Sequence, residues 1–247
     1  MTIAKLSCPL FIAILMMLTV RTPATLYGSD DRKHTLAERL GYAANDKLLI
    51  IHNDDIGLAH SVNRAAFDAY KNGVVNSGSI MVPCPWFGEA AELAKANPGF
   101  DLGVHLTLTA EWKNFRWGGV RPSMEIPGLL DPQNYFYRSV ENVVTHASAE
   151  EVEKECRAQI ERAFAFGINP THFDTHMGTL FGSPAFTDVY LKLSKEYKIP
   201  VFLPRASIEQ SNPNRIPILE QRGFLLVDRY YMAEPDVQPD QWLEYYV

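Results

Sequence analysis

Two adjacent carboxylates, Asp54 and Asp55, close the segment Leu48-Leu-Ile-Ile-His-Asn-Asp-Asp-Ile-Gly57. Its apolar run lacks period-two alternation, which suits a strand covered on both faces, as parallel strands are, and Gly57 lets the backbone turn sharply afterwards. In Asp101-Leu-Gly-Val-His-Leu-Thr-Leu-Thr109 the alternation is clear. Leu102, Val104, Leu106 and Leu108 face one way, and His105, Thr107 and Thr109 the other. Thr171-His-Phe-Asp-Thr-His-Met-Gly178 puts His172, Asp174 and His176 on one face of a further strand. In scaffolds built of β-α units the strand C-termini form the mouth where ligands bind. Asp54/Asp55, His105 and His172/Asp174/His176 together make a metal-site inventory: two imidazoles and one carboxylate hold a divalent cation and leave positions open for water and substrate. Each alone has an ordinary structural use, the Asp pair as an Asx turn or helix cap and a strand histidine as a satisfied core or surface group. Their joint arrival at strand ends favours the chemical reading. His34, His60 and His146 lie outside these ends and are assigned no role.

The elements that must position these groups alternate along the chain. A strand is expected over 47–53, a helix over 61–73 ending at Gly73, a strand over 77–82, and a helix over 86–96 closed by Asn97-Pro98-Gly99. From Ala110 to Thr145 the sequence is turn-rich and aromatic, with Trp112, Phe115, Trp117, Tyr135, Phe136 and Tyr137. Loops of that length serve as lids or binding loops, or cover a satellite core. Ser148-Ala-Glu-Glu151 is a capping-box signature opening a helix to about Phe166, and Ser183-Pro184 supplies N-cap and N1 of a helix to about Tyr197. Short strands are expected at Val201–Arg205 and Phe224–Val227 around a helix-like segment at 216–222, and Trp242–Val247 reads as the inside of a helix. The class is α/β, a largely parallel sheet or barrel.

The chain has 247 residues, 47% of them hydrophobic and 21% charged, which is globular composition for one domain. A net charge of -6 with no run of Lys or Arg argues against a nucleic-acid partner and against binding through a polybasic membrane surface. Lys5, the apolar stretch Leu6–Val20 and Arg21 form a signal-peptide pattern, so export to the periplasm or medium is expected, with membrane contact only if the segment stays uncleaved. The domains read as a signal peptide over 1–27, a linker over 28–46 with one short helix, and the main domain over 47–247. Cys84 and Cys156 are too few for a disulfide framework and are expected to be buried thiols.

His52-Asn-Asp-Asp-Ile-Gly57, Gly103-Val-His-Leu-Thr-Leu-Thr109 and Thr171-His-Phe-Asp-Thr-His176 resemble the three leading motifs of the YdjC-like (ChbG/HpnK) carbohydrate deacetylases. The segment from Asn72 to Pro83 is also similar, so the resemblance covers roughly residues 47 to 205. It implies a distorted (β/α) barrel, an acetylated carbohydrate as substrate, hydrolysis of N-acetyl groups from amino sugars, and a divalent ion, Mg²⁺ or Zn²⁺. By the same match Asp55, His105 and His176 are the metal ligands and Asp54 the general base. His172 and Asp174, sharing a face with His176, are expected to orient a ligand imidazole. Arg205 is expected to orient Asp54 or hold substrate, or else to be an ordinary surface arginine. The chain departs from the family in two places. Met177, Gly178 and Leu180 stand where members often carry further histidines, and no histidine follows His176, where the resemblance leads one to expect a late strand with a His-Pro segment carrying the general acid. The chain is therefore expected to lack the C-terminal part of the barrel and to have an open sheet edge. Two other readings fit the same residues: a homologue that binds sugar or metal without turnover, and a non-haem iron enzyme on two His and one carboxylate.

Overall fold

A computed structural model describes residues 34–232 and Gln241. The expected signal peptide and the segment Trp242–Val247 lie outside the described residues. A short helix α1 (Leu36–Arg39), opened by a capping box on Thr35, stands where the linker was expected to carry one. The alternating core then runs β1 (His52–Ile56), α2 (His60–Lys71), β2 (Ser77–Ile80), α3 (Phe87–Ala96) and β3 (Asp101–Leu106). It continues with α4 (Val140–His146), α5 (Ala149–Ala165), β4 (Phe173–Thr175), α6 (Pro184–Tyr197), α7 (Arg205–Ser211) and α8 (Arg215–Gln221).

The four strands are parallel and lie in sequence order, β1-β2-β3-β4. Single parallel bridges carry the sheet onward from Phe173 to Val201 and from Pro204 to Val227. Sequential order without a reversal is the barrel-type winding, and the α/β class read from the alternation holds. Register sorts the side chains into two faces. Ile80 lies opposite Val104 and Val104 opposite Phe173, so Ile80, Leu102, Val104, Leu106 and Phe173 form an apolar face, all of them buried in the core. The other face is polar: His52 meets the hydroxyls of Ser77 and Ser79, and Ser79 meets Asp174 and His105. The period-two reading of β3 thus holds in direction, although its polar side is buried as well, with His105, Thr107 and Thr109 inside. Gly103 lies on that face because nothing larger fits: a Cβ there would stand 2.5 Å from the His172 ring and 2.6 Å from the His172 carbonyl oxygen.

Some boundaries differ from expectation. The strand expected over 47–53 begins only at His52, and Leu48–Ile51 is exposed chain. Those residues are tied to the start of β2: Ile51 N–H donates to Asn76 Oδ1 at 2.9 Å, Asn76 Nδ2 donates to the Leu49 carbonyl at 3.2 Å, and the Asn76 and Ser77 N–H groups donate to the Ile51 carbonyl at 3.1 and 3.3 Å. No described element covers them, so the apolar run does not mark a strand buried on both faces. Val201–Arg205 and Phe224–Val227 contribute one bridge residue each way rather than strands, and Arg205 opens α7. Cys84 and Cys156 are free and buried, as expected.

The long aromatic segment is a folded layer. Trp117 and Phe136 are buried in it, and Phe136 N–H donates to the Trp117 carbonyl at 3.0 Å. Its last part is α4, too short to show helical periodicity in the sequence. The layer is pinned by α5, whose Ser148 capping box forms as read. Glu155, fully buried on α5, accepts the backbone N–H groups of Val120 and Arg121 at 2.9 Å each, and a further bond from Gln159. Gln159 in turn brackets Thr107, tying the layer to the end of β3. Replacing Glu155 by Ala strips two partly buried donors of their acceptor. Glu155→Ala is therefore expected to lower unfolding stability by about 2–3 kcal/mol, read as a shift of the urea midpoint, whereas Glu150→Ala on the exposed side of the same helix should leave the midpoint in place.

Candidate metal centre

Asp55 reaches the polar face through an irregularity. The β1–β2 register shifts between Asn53 and Ile56, and Asp55 within that bulge has φ 59°. In a regular strand residues three apart point to opposite faces, so His52 and Asp55 could not share one. The bulge re-aims the Asp55 carboxylate to the side of His52, at a backbone cost on the order of 1–2 kcal/mol for a left-handed non-glycine residue. His105 comes from β3, opposite Asp174 of β4. His176 follows β4 directly. There the chain breaks out of the strand through Met177 and Gly178, at φ 52° and 67°, and the turn is fixed by Thr179 Oγ1 donating to the His176 carbonyl at 2.8 Å.

These three side chains converge. Asp55 Oδ1 lies 3.1 Å from His176 Nδ1 and 3.4 Å from His105 Nε2, and the two nitrogens are 3.2 Å apart. Around one ion with ligand bonds of about 2.0–2.2 Å, atoms subtending between a right angle and the tetrahedral angle are about 3.0–3.5 Å apart. The spacing matches three ligands on one side of a cation. Asp55 Oδ1 is moreover buried with no aligned hydrogen-bond donor, a costly state unless a cation faces it.

Behind each imidazole stands a carboxylate that settles which nitrogen is bare. His105 Nδ1 is 2.9 Å from Asp174 Oδ1 and 3.3 Å from the Ser79 hydroxyl, which itself donates to Asp174 Oδ2 at 2.8 Å. His176 Nε2 is 3.1 Å from Glu111 Oε2, and the other Glu111 oxygen accepts from Trp112 Nε1 at 2.7 Å. The outer nitrogens carry the protons and the inner ones offer lone pairs, the arrangement that orients metal-binding histidines. Burial opposes the charged form of His105, but Asp174 and Asp55 outweigh it and hold the imidazole well above its usual range. His176 is likewise raised against its burial, by Asp55 and Glu111. Burial alone would raise Asp55; His105 and His176 instead hold its carboxyl far below the usual range. Asp174 is depressed in the same way, chiefly by His105.

The remaining residues singled out in the sequence fall as follows. Asp54 is exposed in the middle of β1, and among the described residues none forms a hydrogen bond or ion pair with its carboxylate. Asp174 sits behind His105 rather than His176. His172 lies on the same face, against Asp174 and His52. Arg205 is elsewhere, 2.7 Å from Glu220 and 3.8 Å from Asp228. Sequence reasoning missed Glu111, Ser79 and His52. A carboxylate in an irregular segment has no periodicity to flag it, and the serine declares itself only through β2–β3 register. Tyr230 is a further addition: burial, and then the charges of Asp54 and Asp174, push its phenol above the usual range.

Comparison with known proteins bears on this geometry. A family model described as YdjC-like protein matches residues 48–244. The chain belongs to the YdjC-like family. A carbohydrate deacetylase of Thermus thermophilus is 40% identical over 171 residues, 69% of this chain and 58% of that protein. One of Brevibacillus brevis is 35% identical over 176 residues, 71% of this chain and 67% of its own. The chain thus spans about three fifths to two thirds of the length of these relatives. A crystal structure from Enterococcus faecalis, described as a cellobiose-phosphate cleavage protein, superposes with TM-score 0.68 at 28% identity, over 79% of this chain and 73% of that one. All of β1 to β4, and with them both histidines of the triad, lie within the YdjC-like match.

The Glu111 contact gives a direct test of the centre. Removing the acceptor behind His176 frees that ring to turn and to change its protonated nitrogen, so Glu111→Ala should weaken divalent-metal binding by about 10–100-fold in calorimetric titration. Because cations and protons compete for the same lone pairs, the affinity of the unaltered protein should rise with pH, with protons released on binding.

Proposed function

We propose that this chain is a metal-dependent carbohydrate N-deacetylase, acting on acetylated amino sugars with Mg²⁺ or Zn²⁺ held by Asp55, His105 and His176. The observation that carries the reading is the convergence of those three ligand atoms within 3.1–3.4 Å, each imidazole with a carboxylate at its outer nitrogen. Relatives in the same family bear the name carbohydrate deacetylase, which supports the substrate class. A cation in that position supplies Lewis-acid polarisation of the acetyl oxygen and lowers the pKa of a water from 15.7 towards about 7.

The chain's own residues supply the rest. Asp174 with Ser79, and Glu111, fix the two rings so that the ligand atoms need not reorganise during the reaction. Asp54, adjacent to the ligand Asp55 and exposed, takes the proton of the attacking water on its carboxylate. The same proton is what the departing nitrogen needs when the C–N bond breaks, so acetate and a free amine form without another donor. Trp112 and Met177 are exposed beside the Glu111–His176 pair and offer an apolar surface to a sugar ring. Tyr230 keeps its phenolic proton and can donate it in a hydrogen bond to a sugar hydroxyl. Arg205, paired with Glu220, has no part in this reading. The signal-peptide pattern of residues 1–27 supports an exported enzyme, with membrane contact only if that segment is retained.

Acetate release from N-acetylated chito-oligosaccharides is the decisive assay. The folded protein should release acetate with added Mg²⁺ or Zn²⁺, and Asp54→Asn should lose about 10²–10⁴-fold in kcat while binding metal as tightly as before. Sugar binding without acetate release under any divalent ion would replace the proposal with a binding protein that has no turnover.

A further inference from the structure

The polar face of the sheet carries a second group of ligand-type side chains, towards the N-terminal ends of β1 and β4. His52, His172 and Asp174 each bring one ligand atom to within 4.8 Å of the others. His52 Nε2 is 3.2 Å from Asp174 Oδ2, and the two imidazole rings meet edge-on with centroids 5.3 Å apart.

Hydrogen bonds at the outer nitrogens decide what faces inward. His52 Nδ1 is 3.0 Å from the Ser77 hydroxyl, and His52 Nε2 is 3.0 Å from the Ser79 hydroxyl, whose own proton goes to Asp174 Oδ2, so His52 Nε2 carries a proton that an incoming cation displaces. His172 Nδ1 is 3.0 Å from the Thr171 hydroxyl, whose own proton goes to the Leu102 carbonyl at 3.2 Å. The Thr171 oxygen therefore accepts from His172 Nδ1–H, and His172 Nε2 is the bare nitrogen. That atom is buried and has no hydrogen-bond partner. A buried lone pair with no donor is unfavourable unless a cation meets it. Gly103 leaves free the space that the His172 ring fills, which fixes the ring against the β3 backbone. The His52 side chain is 27% exposed, so an ion can reach the group from solvent.

We propose that His52, His172 and Asp174 form a second divalent-cation site, distinct from Asp55, His105 and His176 and joined to it through Asp174, whose Oδ2 faces His52 while its Oδ1 faces His105. Two imidazoles and one carboxylate select Zn²⁺ or a similar nitrogen-preferring ion over Mg²⁺. The bond from His172 Nδ1–H to Thr171 plays the part that Asp174 and Glu111 play for the first group. This inference rests on the sheet register and the hydrogen bonds alone, and stands whether or not the chain deacetylates sugars.

The test is metal content. The full chain, stripped with a chelator, titrated with Zn²⁺ and freed of excess ion by gel filtration, should retain two Zn²⁺ per chain. His172→Gln should retain one, Asp55→Asn should also retain one, and the double variant none. If His172→Gln fails to give the native circular-dichroism spectrum, His52→Gln at the exposed edge of the group carries the same expectation. One ion in the unaltered protein, lost in Asp55→Asn and kept in His172→Gln, overturns the proposal. So do two ions kept in both His172→Gln and His52→Gln, since the second would then be bound elsewhere.

Discussion

The turned carboxylate of Asp55 is the constraint on which the centre rests. Left-handed backbone at a non-glycine residue is unfavourable by an amount comparable to one hydrogen bond, and it persists because the sheet over-determines it. His52 and Asn53 are held in register with β2 on one side of the bulge, and buried Ile56 is held on the other. Between two fixed points the extra residue has one way to go. The result places an anion against two imidazoles in a buried setting, where each group is unfavourable alone and the three are satisfied together by positive charge.

From there the division of the sheet follows. The helix-facing side is filled by Ile80, Leu102, Val104, Leu106 and Phe173, ordinary core residues that hold the strands rigid. The opposite side spends its positions on His52, Ser77, Ser79, His105, His172 and Asp174, a continuous polar network in which nearly every group has a named partner. Such a network is worth most when fully satisfied and becomes a liability when one member is missing. Its carboxylates are far from their ordinary titration ranges because His105 and His176 face them, and the histidines are raised because the carboxylates face back.

Much of this was legible in the sequence because period-two alternation is a local property. The facing of His105 against Leu102, Val104 and Leu106, and the common face of His172 and Asp174, need only a strand assignment. The helix caps at Ser148 and Ser183 were equally local. What could not be read depends on partners distant in sequence. Glu111 meets His176 across 65 positions. Whether Leu48–Ile51 is buried depends on what packs over it, and hydrophobicity alone does not say. Arg205 looked like the end of a strand, yet the Pro204–Val227 bridge is a single pair and the chain coils into α7 immediately afterwards. The bulge at Asp55 left no mark beyond an aspartate tolerant of positive φ.

The alternation in β3 has a consequence for how such a protein can diverge. Substitutions that keep size on the helix side, or polarity on the other, leave the sheet intact. Insertion or deletion of one residue between Asp101 and His105 would exchange the two sides, sending the imidazole into the helix layer and a valine or leucine into the polar network. Changes of length are therefore tolerated in the connections between elements rather than inside β3.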